Sequence, residues 1–165
     1  MKNLIYILFI LFFSVTYGQK PTIQIQNQLI GVWTLVLVEN INEAGSKTKP
    51  YGDHPVGNLI FTDTNYAIQI LKANRPKIVA NDKDKATPEE YKALVQGNNS
   101  HFGTYILDQD KKKITFNIKH AFYPNWEGTQ QIRSYLLDHD TLTYRVTNTT
   151  NGGSISAIVK WKKYK

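Results

Sequence analysis

Residues 113–147 read KITFNIKHAFYPNWEGTQQIRSYLLDHDTLTYRVT, and their alternation decides the fold class. Successive side chains of a strand point to opposite faces. Lys113 to Ala121 therefore sets Ile114, Phe116, Ile118 and His120 on one face. Thr129 to Leu137 sets Gln131, Arg133, Tyr135 and Leu137 against Gln130, Ile132, Ser134 and Leu136, two faces that compete for the interior. Asp138-His139-Asp140 then turns the chain into Thr141 to Thr147, a turn built from residues that tolerate tight backbone.

The same rhythm recurs on both sides of this stretch. Leu29 to Glu39 (LIGVWTLVLVE), Val56 to Thr62, Tyr66 to Leu71 and His101 to Leu107 precede it, and Ser154 to Lys163 follows. Short polar turns at Asp63-Thr64-Asn65, Asp108-Gln109-Asp110 and Asn148 to Gly153 join neighbours as hairpins. Eight antiparallel strands in sequential order predict an all-β up-and-down barrel, because closure removes the unpaired edges of an open sheet. A barrel of this size holds one small ligand or is filled by its own side chains.

One short helix is predicted between the third and fourth of these strands. Thr87 can cap its free amides, Pro88 suits the first helical position, and Glu89 and Glu90 meet the positive end of the helix dipole. Gly97-Asn98-Asn99 ends it. The excursion from Lys72 to Ser100 that carries this helix is expected over a rim or side of the barrel, where it could serve as a lid.

The chain has 165 residues and no cysteine, which excludes disulfides, zinc-thiolate and iron–sulfur sites, a lipidated N-terminal cysteine and a thiol nucleophile. Lys2, the apolar run Leu4 to Phe13, and Thr16 and Gly18 before Gln19 read as a secretory signal over residues 1–18. The run is about half the ~20 residues needed to span a bilayer, so the mature product is expected to be exported, periplasmic or extracellular, with no stable membrane insertion. A lead-in at 19–28 then precedes one domain at 29–165. The net charge of +7 is spread out. Lys111-Lys112-Lys113 falls in a turn and the C-terminal lysines alternate along a strand, and no nucleic-acid-binding motif accompanies them, so no nucleic-acid partner is expected.

Gly31-Val32-Trp33, at the start of the first strand, resembles the Gly-x-Trp signature of lipocalins. Tyr51 to Thr62 (YGDHPVGNLIFT), Thr87 to Tyr91, His101 to Tyr105 and Pro124 to Arg133 (PNWEGTQQIR) are similar, in order, to the bacterial lipocalin-like domain family. The resemblance spans about Leu29 to Trp161. It implies a lipocalin-like barrel whose Trp33 plugs one end and packs against a basic residue from a late strand, for which Arg133 and Arg145 are the candidates. Some members of that family bind small lipophilic molecules and others are isomerases or cyclases, so no catalytic set carries over.

The interior is expected to hold Phe116, Ile118, His120, Arg133 and Tyr135, joined by His101 and Tyr105, with Trp126 at the mouth and Tyr66 on the third strand. Tyr66, His101, Tyr105, Phe116, His120, Trp126, Arg133 and Tyr135 are thus the candidate ligand-binding residues. An apolar pocket with a few polar handles suits a small lipophilic or amphipathic ligand, with Arg133 the partner for a carboxylate if it does not pack on Trp33 instead. No cofactor is implied. His101 and His120 lack a third ligand at metal spacing, and no Gly-x-Ser-x-Gly elbow, phosphate loop or dinucleotide fingerprint occurs. Two other readings stay open: an isomerase or cyclase moving protons with His101, His120 or Glu127, and a filled barrel acting as an interaction module.

Overall fold

A computed structural model describes residues 28–147, 149 and 156–165. The expected signal at 1–18, and the lead-in up to residue 27, lie outside the described residues. Eight strands close into an antiparallel up-and-down barrel: β1 (Gly31–Ile41), β3 (Val56–Phe61), β4 (Asn65–Leu71), β5 (Asn98–Asp108), β6 (Lys113–Ala121), β7 (Gln130–Asp138), β8 (Thr141–Thr147) and β9 (Ser156–Lys163). Each pairs with the next, and β9 returns to β1 over Trp33 to Ile41. A further strand, β2 (Lys47–Thr48), extends the end of β1 by two exposed residues, too few to show any periodicity in sequence.

Helix α1 (Pro88–Gln96) connects β4 to β5, the third and fourth staves of the ring. Its capping box forms as the residue types demand. The Thr87 hydroxyl accepts from the Glu90 amide at 3.2 Å, and the Glu90 carboxylate accepts from the Thr87 amide at 2.8 Å. The Gly97 amide donates to the Ala93 carbonyl at 3.0 Å and closes the last turn. No residue of α1 is buried, so the helix rides outside the core.

Strict alternation selects the interior along most strands. On β7, Tyr135 is 8% exposed and Leu136 58%, which places the Arg133 and Tyr135 face inward. Two bulges interrupt the alternation. Between β1 and β9 the pairing steps from Leu35–Trp161 to Leu37–Lys160, leaving Val36 unpaired. Trp33 and Leu35 are therefore buried before the bulge, and Val38 and Asn40 after it.

The second bulge lies between β5 and β6, where Gly103 pairs with Ile118 and Phe102 with His120, leaving Lys119 unpaired. A Cβ on Gly103 would stand 2.0 Å from the Asn117 carbonyl oxygen, so the strands approach there as closely as only glycine permits. The extra residue reverses the phase of β6. His120, expected inside with Phe116 and Ile118, instead faces outward, its side chain 56% exposed and its ring 5.5 Å from that of Phe102.

One end of the barrel is packed solid. Leu29, Trp33, Leu59, Phe61, Ile114, Leu142 and Trp161 are all fully buried there, each contributing roughly 1.5–3 kcal/mol by leaving water. Trp33 donates from its buried Nε1 to the Leu29 carbonyl at 2.8 Å. The cation over its ring is Lys163 of β9, with Nζ 5.3 Å from the centroid, and Lys163 also donates to the Gln28 carbonyl. Neither Arg133 nor Arg145 takes that place. Lys163 does so because it pairs directly with Trp33 across β1 and β9, whereas Arg133 lies on β7 toward the other end and Arg145 donates to the Ser156 hydroxyl at 2.9 Å.

Candidate functional site

The other half of the barrel is hollow. A cavity of about 400 Å³ opens at the end where β1 finishes and β5 begins. Val38, Ile68, Ile70, Val146 and Val159 form one apolar wall. Tyr144, beside Val159 across β8 and β9, continues the lining with Phe116 and Tyr51, and Trp126 stands at the rim on the turn Pro124–Trp126 between β6 and β7. The floor is aromatic: Phe116 packs at 4.6 Å from Tyr66, at 6.0 Å from Tyr144 and at 6.2 Å from Phe61, which belongs to the sealed half.

Polar groups interrupt these walls, among them Asn40, Asn99, His101, Gln131 and Arg133. His101, on β5, is 8% exposed. Its Nδ1 lies 2.8 Å from the Tyr66 hydroxyl, and the edge of its ring meets Trp126 at 5.8 Å. Burial, reinforced by the nearby Arg133 charge, pushes the imidazole pKa down to about 3, so His101 is neutral at neutral pH. Burial likewise raises the Tyr66 phenol far above its usual range and the Tyr144 phenol to about 12, although Arg133 offsets part of each rise. A neutral, hydrogen-bonded pair results at the cavity wall.

Arg133 reaches the cavity from β7. It donates to the Ile132 carbonyl at 3.2 Å and to the Gln131 amide oxygen, which leaves the rest of its five-donor fork free. Burial lowers its pKa, and Tyr144 and Tyr66 partly restore it. Arginine stays protonated in either case. None of the ion pairs among the described residues involves Arg133, and the remaining residues contain no Asp or Glu. Asn99, at the start of β5, lines the same cavity, and its buried Oδ1 has no hydrogen-bond partner.

A model of the lipocalin-like domain matches residues 30–164. The chain belongs to the lipocalin-like domain family. No curated protein and no solved structure matches it. In this lipocalin-like barrel, four of the residues singled out in the sequence come together around the cavity: His101, Phe116, Trp126 and Arg133. Tyr66 stands behind them, bonded to His101. Tyr105 and Tyr135 point inward but lie in the packed core, Tyr105 donating to the Thr62 carbonyl at 2.9 Å with its ring against Phe61.

His120 stays outside, with Nδ1 3.4 Å from Glu127, whose carboxylate also accepts from the Ala121 amide at 3.2 Å. These contacts brace the connection that carries Trp126. Tyr144, Tyr51 and Asn99 escaped the sequence reading. Tyr144 was legible as an alternation partner of Leu142, whereas Tyr51 enters from a loop whose path no local pattern reveals. No residue of α1 lines the cavity, so the helix does not lie over it as a lid.

Among the described residues no three His, Asp or Glu side chains gather as a metal site, and no helix is long and apolar enough to cross a membrane. A second, wider depression lies on the outer surface between Ile60, Phe102 and Asn117. The interior cavity is the better candidate because it is more enclosed and contains the buried polar groups.

Proposed function

We propose that this lipocalin-like domain is a non-catalytic carrier or sequestering protein that holds a small lipophilic or amphipathic molecule in the open half of its barrel. The observation that carries this reading is the hollow of about 400 Å³ above an aromatic floor. It falls in the roughly 300–1,000 Å³ range of small-molecule sites, and its lining mixes apolar side chains such as Val38, Ile68 and Val159 with polar ones such as Asn40, His101, Gln131 and Arg133. An isomerase or cyclase needs its proton-moving groups at one place. His101 lies inside, whereas His120 and Glu127 pair on the outer surface, which weighs for holding over turnover.

Native mass spectrometry of the protein purified from its own source tests the reading. A non-covalent adduct that is lost on denaturation is the expected result. An adduct-free mass, together with unchanged Trp fluorescence and melting temperature across fatty acids, retinoids, sterols and aromatic metabolites, would overturn it. The N-terminal pattern supports export to the periplasm or the cell exterior. N-terminal sequencing should find a mature chain beginning at Gln19, and a cytoplasmic product retaining residues 1–18 would sink that part of the proposal.

A further inference from the structure

Arg133 is a partly buried cation without an ionic partner. It sits among Tyr66, Tyr144 and neutral His101, none of which carries a negative charge at neutral pH. The carboxylates of the described chain are engaged elsewhere or stand apart from it. Glu127 faces His120, Asp108 pairs with Lys111, and Asp140 with Lys162. A partly buried guanidinium without a counter-charge is costly, and proteins pair such groups when they keep them. Here nothing in the chain supplies the pair. The two bonds that Arg133 does make, to Gln131 and to the Ile132 carbonyl, fix the fork and leave its other donors unspent.

From this arrangement we infer that the molecule held in the barrel is an amphipathic carboxylic acid, whose carboxylate seats on the Arg133 fork while its apolar body lies along Val38, Ile68, Ile70 and Val159. The inference rests on the proposed holding function and narrows it to one ligand class. Planar, two-point recognition of a carboxylate is what distinguishes arginine from lysine. The apolar wall fits an extended chain, and a cavity of about 400 Å³ has room for one of medium length.

Competition against the anionic dye 1-anilinonaphthalene-8-sulfonate decides the matter, with dodecanoate and 1-dodecanol as probes of equal length. The intact protein should prefer the acid by about 10- to 100-fold, the range expected of a desolvated charge-assisted pair. Arg133→Gln should abolish the preference, and Arg133→Lys, which keeps the charge without the fork, should retain part of it. Arg145→Gln removes the same charge from the outer face and should leave the preference intact. Equal binding of acid and alcohol by the intact protein, or an acid preference that survives Arg133→Gln, overturns the inference while the holding function stands. Failure of both probes to compete, with no adduct by native mass spectrometry, overturns both together.

Discussion

The two halves of this barrel are built from the same strands to opposite ends. In the sealed half, Trp33, Phe61, Ile114, Leu142 and Trp161 meet at the axis and leave almost nothing exposed. In the open half, the continuations of those strands contribute Val38, Asn40, Phe116, Tyr144 and Ala157, joined by Arg133 of β7, around empty space. Each long strand thus has a stabilising end and a functional end. The difference shows how a small β-barrel combines a packed core with a cavity: it concentrates its large side chains at one pole, and the aromatic floor at Phe116 separates the two.

The largest expected effect lies in the sealed half. Trp161→Ala should lower stability by about 3–5 kcal/mol in urea denaturation, while the folded fraction keeps its acid preference. A loss of that preference would mean the halves are not independent. Next comes the pH dependence of the open half. Below pH 6.5 an unfolded His101 takes up a proton, whereas the folded one resists until about pH 3, so acid favours the unfolded state over that interval. Stability should fall by up to about 1.4 kcal/mol per pH unit from this group, and His101→Asn should flatten that limb.

Arg133→Met is expected to act in the other direction. Replacing an unpaired cation by an apolar side chain should raise the stability of the empty protein by about 1–2 kcal/mol in thermal melts, even as the acid preference disappears. A destabilised variant would instead mark Arg133 as a structural group. The smallest effect belongs to Trp126, half-buried at the rim. Trp126→Phe should change stability by less than about 1 kcal/mol yet remove most of the ligand-induced change in tryptophan fluorescence, since Trp33 and Trp161 sit in the sealed half.

The barrel was legible because alternation, turn chemistry and the number of strands all agreed. The capping box Thr87–Glu90 followed from the same local rules, whereas alternation left β7 with two competing faces and only the closed barrel turned Arg133 and Tyr135 inward. His120 did not. Its face depends on the bulge at Lys119, and that bulge depends on how closely Gly103 lets β5 approach the Asn117 carbonyl. Lys163 over Trp33 was hidden for a related reason: cross-strand register decides which of several basic residues reaches the ring. Of the candidate site, His101, Phe116, Trp126 and Arg133 were visible as inward or rim positions, and Tyr51 was not.

Local chemistry in this chain specifies strands, turns, one capped helix and the residue types available to a barrel interior, since these depend on neighbours a few residues away. Closure of the ring decided the rest. Which end is solid, where a bulge reverses a face, and that Arg133 is left without a counter-charge are outcomes of long-range register, in which residues over a hundred positions apart, such as Trp33 and Lys163, set one another's surroundings.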